Sequence, residues 1–258
     1  MNRSEHDAAA RLLFAARQNL SPGPRLPVEL RPGDINDALA IQARTVALVG
    51  QPIGGYKCSA PTEARPVSYA PIFAPSILAA SPYPVPGVIG QARIEPEIAF
   101  VMGHDLPPRA DAYSDDEVRA AVKEARFALE IIGTRYAEPS TVTFPELLAD
   151  NVANLGLFVG PPLPDPWTKQ LDAFPVTVRT SDAVLFTRDG KHPDGHPLRA
   201  LAFLANHLAS RGETLAAGMV VTTGSYCGIL DVPLAVSLTF TYGDLGLLAV
   251  TLTQGAAR

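Results

Sequence analysis

Two glutamates separated by one residue are the clearest chemical feature of this sequence. In the segment Ile94-Glu95-Pro96-Glu97, both carboxylates project from one face if the segment is a β-strand, because strand side chains alternate between faces. Two carboxylates on one face repel each other and are costly to remove from water. The pattern therefore fits either a solvated strand face or a site that binds a hard cation through oxygen ligands.

A third glutamate, Glu130, lies inside the apolar run 128–132. Unpaired carboxylates are rarely buried, so this side chain needs a partner. Arg126 or Arg135 could supply one, or Glu130 could join the other two glutamates around one ion. Three carboxylates would suit magnesium or manganese better than zinc.

Two further segments offer groups that bind anions. Lys57 follows Gly54 and Gly55 in a short predicted strand, and its ammonium is either a solvated charge or a partner for an anionic oxygen beside a metal. The turn 223–228 offers hydroxyls and backbone N–H groups, although a plain β-turn explains it equally well. It lacks the first glycine of a nucleophile elbow, and we expect its Cys227 to be a small packed residue.

The common motifs of zinc and nucleotide chemistry are missing from the sequence. His192 and His196 are four residues apart, but Pro193 and Gly195 between them disfavour a helix, so we expect a mobile loop there. The sequence contains no Walker A motif, no glycine-rich dinucleotide fingerprint and no H-E-x-x-H.

Hydrophobic periodicity and capping residues predict the elements that would position these groups. Helices are expected at residues 4–18, from Asp34, after capping boxes at Ser114 and Thr143, and at 198–211. Strands at 94–102 and 127–132 would carry the three glutamates. Further short strands are expected at 155–159, 174–179, 219–223, 234–242 and 247–252. The proline-rich segment 61–87 is expected to be extended and ordered.

The composition limits the class of protein. The chain has 258 residues, of which 47% are hydrophobic and 18% charged, and this excludes an intrinsically disordered chain. A formal net charge of −5 without a basic stripe does not favour a nucleic-acid partner. No apolar run is long enough for a membrane span, and the polar N-terminus is unlike a signal peptide. Two cysteines far apart favour a reducing compartment, so we expect a cytoplasmic protein.

Five segments, in order along the chain, resemble the 2-keto-4-pentenoate hydratase and 4-oxalocrotonate decarboxylase family of the fumarylacetoacetate hydrolase-like superfamily. IGGYKCSAP resembles the family's G-W-K-x-G, and ARIEPEIAFVMGHDLP resembles E-x-E-I-A-F-V-x-x-x-D-L. ALEIIGTRY resembles A-L-E-I-V-x-S-R, and DNVANLGLFVG resembles D-N-x-x-x-x-x-F-V-x-G. Residues 195–225 resemble the helix, strand and turn that close the family's site.

This resemblance implies an α+β fold with a mixed β-roll of the fumarylacetoacetate hydrolase C-terminal type. Residues 1–86 would form a helical and proline-rich part packed on a β-rich, metal-binding body of residues 87–258. The resemblance also implies that Glu95, Glu97 and Glu130 bind Mg²⁺ or Mn²⁺.

The remaining site residues are likewise carried over from the resemblance. Lys57 would lie near the carboxylate and 2-oxygen of the substrate, and the turn with Ser225 and Cys227 would face that carboxylate. After Lys57 this chain is shorter than the family and lacks its aspartate. The resemblance therefore does not identify the residue that transfers protons, and Tyr69 and Lys57 are the candidates.

The implied activity is that of a lyase. The first interpretation is a hydratase acting on a small 2-hydroxy-2,4-dienoate or 2-oxo-enoate acid, as in the catabolism of aromatic ring-cleavage products. The alternatives are a decarboxylase of a vinylogous 2-oxo acid such as 4-oxalocrotonate, a C–C hydrolase of acylpyruvates that would use Glu63 and His104, and a non-catalytic partner subunit. We expect a homo-oligomer, or a complex with a related decarboxylase or hydratase.

Overall fold

Five helices and thirteen strands are described in the computed structural model, which covers residues 1–63, 66–88 and 90–255. The helices are α1 (Arg3–Gln18), α2 (Ile35–Val49), α3 (Asp115–Ala121), α4 (Phe144–Ala149) and α5 (Pro197–Ser210). The strands of the first half are β1 (Ile53–Ser59), β2 (Ser68–Phe73), β3 (Ile77–Leu78), β4 (Tyr83–Pro86), β5 (Gln91–Met102) and β6 (Val122–Ile132). Those of the second half are β7 (Asn154–Leu163), β8 (Ala173–Arg179), β9 (Val184–Lys191), β10 (Val220–Thr222), β11 (Leu230–Pro233), β12 (Ser237–Tyr242) and β13 (Gly246–Gly255).

The larger sheet is a mixed sheet of eight strands that curls into a roll. Seven strands follow the order β2-β1-β10-β5-β6-β7-β3, and β11 pairs with the beginning of β5. The two ends of this order, β2 and β3, are joined by only a short turn at residues 74–76, and β2 also contacts β7. The turn therefore brings the outer strands together and gives the sheet an inner face.

The inner face of the roll is apolar at one end. A small buried cluster forms there from residues of five strands: Ile72, Ala99, Ala128, Leu157, Val159 and Val220. The register places Lys57, Thr222, Glu97 and Glu130 on this same face, because paired residues of neighbouring strands point the same way. The opposite face of β1 packs against α5, where the Cys58 thiol donates to the Ala200 carbonyl.

The smaller sheet contains five strands in the order β4-β13-β12-β8-β9. β12 and β13 form the hairpin that the sequence predicts around Gly243, with Tyr242 paired to Gly246. Its strands alternate between buried and exposed residues, and Leu238, Phe240 and Tyr242 join the main core. This sheet forms the second layer of the protein.

The helix predicted after Ser114 is shorter than its periodicity indicates. Ser114 and Glu117 form the predicted capping box, but α3 ends at Ala121. Val122 already pairs with Met102 in the antiparallel ladder between β5 and β6. Pairing along a long strand therefore outweighs the helical pattern of the apolar residues after Ala121.

The N-terminal third is joined to the rest of the protein by strand pairing as well as by helix packing. α1 packs on α2, while β1 pairs with β10 and β4 pairs with β13. The division of the chain into parts 1–86 and 87–258 stays a prediction. Within the residues that the structure describes, no helix combines the length and the apolar character needed to cross a membrane.

Gly55 permits the closest backbone approach in the roll. A Cβ atom at this position would lie 1.9 Å from the carbonyl oxygen of Val220, its partner on the parallel strand β10. Any side chain there would force β1 and β10 apart. Since Lys57 lies two residues further along β1, this glycine also sets the depth of the lysine in the roll.

Gly55→Ala is expected to lower the free energy of unfolding by at least about 2 kcal/mol, because the extra methyl overpacks a backbone contact. Urea unfolding measures the change. Gly33→Ala is the matched control, since its Cβ would meet only the Asp37 carboxylate at 3.8 Å. Equal stability of the two variants would contradict this account of the strand pairing.

Candidate metal centre

The three predicted glutamates lie together on the inner face of the roll. Glu95 and Glu130 are paired residues on β5 and β6, and Glu97 lies two residues further along β5. One carboxylate oxygen from each lies within 4.8 Å of the others. Glu97 and Glu130 are 1% and 0% exposed, whereas Glu95 is partly exposed, so the group is open on the Glu95 side.

Burial and the neighbouring negative charges disfavour the charged forms of Glu95 and Glu97. Loss of hydration, followed by the charges of Glu130 and Glu95, raises the pKa of Glu97 to about 8. Burial is also the main cause that raises the pKa of Glu95. Without a further cation, the Glu97 carboxylate would therefore be largely protonated at neutral pH.

Glu97 is held by donors from strand β10 and the turn that follows it. Its Oε2 accepts hydrogen bonds from the Thr222 hydroxyl and from the Gly224 backbone N–H, the latter at 2.7 Å. The turn is also fixed to β5, the strand that carries Glu97, because the Tyr226 N–H donates to the Pro96 carbonyl at 3.2 Å. These contacts orient the Glu97 carboxylate before any ligand binds.

Glu130 has one satisfied oxygen and one that is buried without a partner. Its Oε1 lies 2.7 Å from the Lys57 ammonium and accepts a hydrogen bond from the Asn154 side chain at 2.8 Å. In the described part of the chain, no donor reaches Oε2. A buried anionic oxygen without a donor is costly, and a cation among the three glutamates would satisfy it. The donor set consists of carboxylate oxygens, which fits a hard divalent cation.

Lys57 supplies the ammonium that faces the three glutamates. Burial alone would lower its pKa, but Glu130, Glu95 and Glu97 offset this effect and hold the pKa above its ordinary value. Its Nζ also donates to the Val152 carbonyl at 3.1 Å. The lysine is therefore a fixed positive charge beside the glutamates.

A left-handed turn positions the carbonyl that binds Lys57. Asn151, Val152 and Ala153 have φ values of 53°, 48° and 57°, a region that a β-branched residue such as valine rarely adopts. The turn is held on one side by the buried ion pair between Arg135 and Asp150. On the other side the Gly133 N–H donates to the Ala153 carbonyl at 2.8 Å. The strained backbone of residues 151–153 thus places the Val152 carbonyl where it accepts the hydrogen bond from Lys57.

Tyr69 lies apart from the glutamates. It pairs with Cys58 rather than Lys57, so it points to the opposite face of the sheet. Its ring packs edge-on against His207 of α5, with 4.8 Å between the ring centroids. Strand alternation therefore separates Tyr69 from the charged group that it was expected to serve.

Ser225 and Cys227 lie in the turn that holds Glu97. The Ser225 hydroxyl donates to the Gly228 carbonyl at 3.1 Å, and the Cys227 N–H donates to the Ser225 hydroxyl. Burial raises the pKa of the Cys227 thiol to about 11, so at neutral pH the thiol is protonated and is a poor nucleophile. Both residues border the site through the backbone of their turn.

The other predicted acid–base residues do not join the cluster. Glu63 is exposed in the segment after β1, and His104 is exposed just after the end of β5. Residues 192–196 form a turn and not a helix, as predicted, and their mobility stays a prediction. His192 is buried, and its Nδ1 accepts the Asp194 N–H at 3.1 Å, while His196 caps the N-terminus of α5.

Asn154, Thr222 and the Val152 carbonyl are contacts that the sequence does not single out by chemistry. The resemblance of the segment 150–160 to a family motif is the one signal that includes two of them. A backbone carbonyl has no sequence signature, and a strand threonine is more often a packing residue.

No family model matches the chain, but comparisons with known proteins find relatives that are named as hydratases and decarboxylases. A 4-oxalocrotonate decarboxylase from Pseudomonas sp is 30% identical over 173 residues, which cover 62% of this chain and 60% of that protein. The 2-keto-4-pentenoate hydratase 2 of Dechloromonas aromatica (strain RCB) is 29% identical over 230 residues, covering 85% and 86%.

The fold is shared with a solved decarboxylase. The 4-oxalocrotonate decarboxylase from Pseudomonas putida G7 matches with 22% identity over 98% of both chains. TM-scores are 0.78 for its complex with calcium and acetate and 0.76 for its complex with magnesium and adipate. This likeness confirms the predicted α+β class with a mixed β-roll.

Glu130→Gln is expected to weaken Mn²⁺ binding by at least about 100-fold, because even outer-shell changes at metal sites cost 10–100-fold in affinity. Isothermal titration calorimetry of the whole chain measures the dissociation constant. Glu124→Gln is the control, since Glu124 lies on the same strand but pairs with Arg126 at 2.9 Å. If the two variants bind Mn²⁺ equally well, the glutamate cluster is not the metal site.

Proposed function

We propose that this chain is a diverged member of the 2-keto-4-pentenoate hydratase and 4-oxalocrotonate decarboxylase family, and that it is a lyase that hydrates a small 2-hydroxy-2,4-dienoate or 2-oxo-enoate acid. Two relatives carry these activities in their names, and they align with 62% and 85% of this chain. Such acids arise from the cleavage of aromatic rings. A place in aromatic catabolism is therefore part of the proposal.

The observation that carries this proposal is the buried group of three carboxylates beside one lysine. Glu95, Glu97 and Glu130 would hold Mg²⁺ or Mn²⁺, and the partly exposed side at Glu95 would leave positions for a ligand. When bound, such an ion supplies a Lewis acid that stabilises negative charge on the oxygen of an enolate. The complexes of the structural neighbour with calcium and with magnesium support a divalent ion in this fold.

The residues of this chain bind and orient the acid. The Lys57 ammonium, fixed by Glu130 and Val152, would attract the substrate's carboxylate and 2-oxygen and favour the charge that develops there. The turn with Ser225 and Cys227 would border the same carboxylate. In hydration, water then adds across the double bond conjugated to the carbonyl. Lys57 remains the candidate for moving a proton, whereas the position of Tyr69 does not support that role.

Decarboxylation of a vinylogous 2-oxo acid is the second candidate, because it needs the same stabilised dienolate and relatives of that name align with the chain. Hydrolysis through Glu63 and His104 receives no support from their exposed positions. We also propose a cytoplasmic homo-oligomer, or a complex with a related decarboxylase or hydratase. The two cysteines in the described residues are free thiols, which is consistent with a reducing compartment.

With Mg²⁺ present, the protein is expected to consume 2-hydroxy-2,4-pentadienoate, measured as loss of the dienoate absorbance in the ultraviolet. Glu97→Gln should lower kcat/KM by at least about 100-fold, because it removes charge that holds the ion at the reacting oxygen. Glu124→Gln should retain the rate. A Glu97→Gln variant with full activity would remove the metal from the reaction.

Mass analysis of the product separates the candidate reactions. A hydratase yields one product heavier than the substrate by one water, whereas a decarboxylase releases CO₂. An absence of turnover on every dienoate, with metal binding intact, would favour a non-catalytic partner subunit.

Lys57→Met is expected to lower kcat/KM by about 100-fold or more, because a fixed charge aimed at the developing anion is lost. Lys57→Arg keeps the charge and should recover part of the activity. Lys123→Met serves as the control for loss of a lysine, since Lys123 is exposed on β6. Steady-state kinetics at saturating Mg²⁺, with thermal melts to check folding, measure the effect. An unchanged rate in Lys57→Met would contradict the role of this ammonium.

A further inference from the structure

A cavity of about 330 Å³ lies at the outer end of the inner face that carries the glutamates. Its lining includes Arg93 of β5, Ile132 of β6 and Leu155 of β7, and α1 closes it with Arg17. A neighbouring cavity of about 170 Å³ shares Arg17 and Leu155 in its lining. Arg17 therefore stands where the two spaces meet.

Strand register connects this cavity to the candidate metal centre. Arg93 and Ile132 are paired residues, as are Glu95 and Glu130, two positions further into the roll. Since side chains two apart on a strand share a face, the cavity begins about 6.6 Å above the glutamate pair. Along β5, exposure falls from Gln91 and Arg93 to Glu95 and Glu97. The inner face thus runs from an open mouth to the buried carboxylates.

Arg17 brings a positive charge to this mouth without an acidic partner. Its Nη2 donates to the Asn154 carbonyl at 3.1 Å, and its guanidinium lies 5.4 Å from the centre of the Phe73 ring. In the described part of the chain, no carboxylate forms an ion pair with it. The side chain of the same Asn154 contacts Glu130, so a single residue separates this guanidinium from the glutamate cluster.

The neighbouring charges are already paired. Among the described residues, the one acid close to Arg17 is the buried Asp150, which forms an ion pair with Arg135. Arg93 lies 3.6 Å from Asp231 of β11. Burial, and then the charge of Arg135, lowers the pKa of Arg17 to about 9, and the charge of Asp150 opposes this effect only in part. One positive charge is therefore left over at the mouth, and a partly buried cation of this kind is costly unless an anion joins it.

We propose that Arg17 binds a second carboxylate at the far end of the substrate, so that the preferred substrate is a short 2-oxo or 2-hydroxy-diene dicarboxylic acid. This inference rests on the proposed function, in which the first carboxylate and the 2-oxygen lie at the glutamates and Lys57. A guanidinium recognises a carboxylate through two parallel N–H···O bonds. Because only two strand residues, about 6.6 Å, separate the glutamate pair from the start of the cavity, a short diacid would extend from one to the other. A monocarboxylic acid would leave Arg17 without an anionic partner.

The same contact favours hydration over decarboxylation of that diacid. Loss of CO₂ from the far end would discharge the group that Arg17 binds, so the guanidinium would stabilise the reactant more than the transition state. In hydration, one water adds H and OH to the two carbons of a C=C bond. No bond to the far carboxylate breaks and no electrons are transferred. Arg17 then stays paired throughout the reaction.

The test compares two unreactive ligands of equal chain length, 2-oxoadipate and 2-oxohexanoate, with the Mg²⁺-loaded protein. Both carry a 2-oxo carboxylate, and only 2-oxoadipate carries a second carboxylate. Calorimetric titration should show 2-oxoadipate binding about tenfold tighter or more. Arg17→Met should bring the ratio of the two dissociation constants close to one, and Arg17→Lys should keep part of the preference. Arg11→Met, an exposed arginine of the same helix, should keep the full ratio.

The outcomes distinguish this inference from the proposed function. Equal affinities of the wild-type protein for the two ligands, both dependent on Mg²⁺, would overturn the diacid preference and leave the proposed function standing. A preference that survives in folded Arg17→Met would also overturn it, and thermal melts establish folding. Failure of both ligands to bind with Mg²⁺ would count against the proposed function itself. Release of CO₂ from an unsaturated diacid would refute the argument for hydration.

Discussion

Repulsion among three buried carboxylates is the interaction on which the rest of the site depends. Glu95, Glu97 and Glu130 come from two neighbouring strands, and each additional negative charge in this space raises the cost of the others. Among the residues that the structure describes, one ammonium, from Lys57, and a few hydrogen-bond donors offset this cost. The site therefore lacks positive charge, which a bound cation would supply. Within the described residues, Oε2 of Glu130 is the carboxylate oxygen that is buried without a hydrogen-bond donor.

Much of the protein serves to place these charges. The parallel pairing of β1 with β10, which Gly55 permits, sets Lys57 and Thr222 side by side on the inner face. The left-handed turn around Val152 fixes the ammonium from the other side. The fold and the site are thus linked through backbone geometry more than through packing.

The sequence predicts the parts of this arrangement that depend on local patterns. The alternation along Ile94–Met102 places Glu95 and Glu97 on one face, and the apolar surroundings of Glu130 indicate a buried carboxylate. It does not reveal which strands become neighbours, so the pairing of Glu95 with Glu130 depended on a family resemblance. Tyr69 shows the same limit, because one residue of register decides which face of β2 it occupies. The roles of the Val152 carbonyl and of Arg17 depend on contacts between residues far apart in sequence, and no local pattern encodes them.

The most direct test of the central claim is a crystal structure of the protein with Mn²⁺ and oxalate, recorded at a wavelength where manganese scatters anomalously. Oxalate stands in for the carboxylate and 2-oxygen of the dienolate. The account predicts one anomalous peak bounded by Glu95, Glu97 and Glu130, with oxalate bound to the same ion near Lys57. A cluster without the peak, or oxalate bound away from it, would contradict the account.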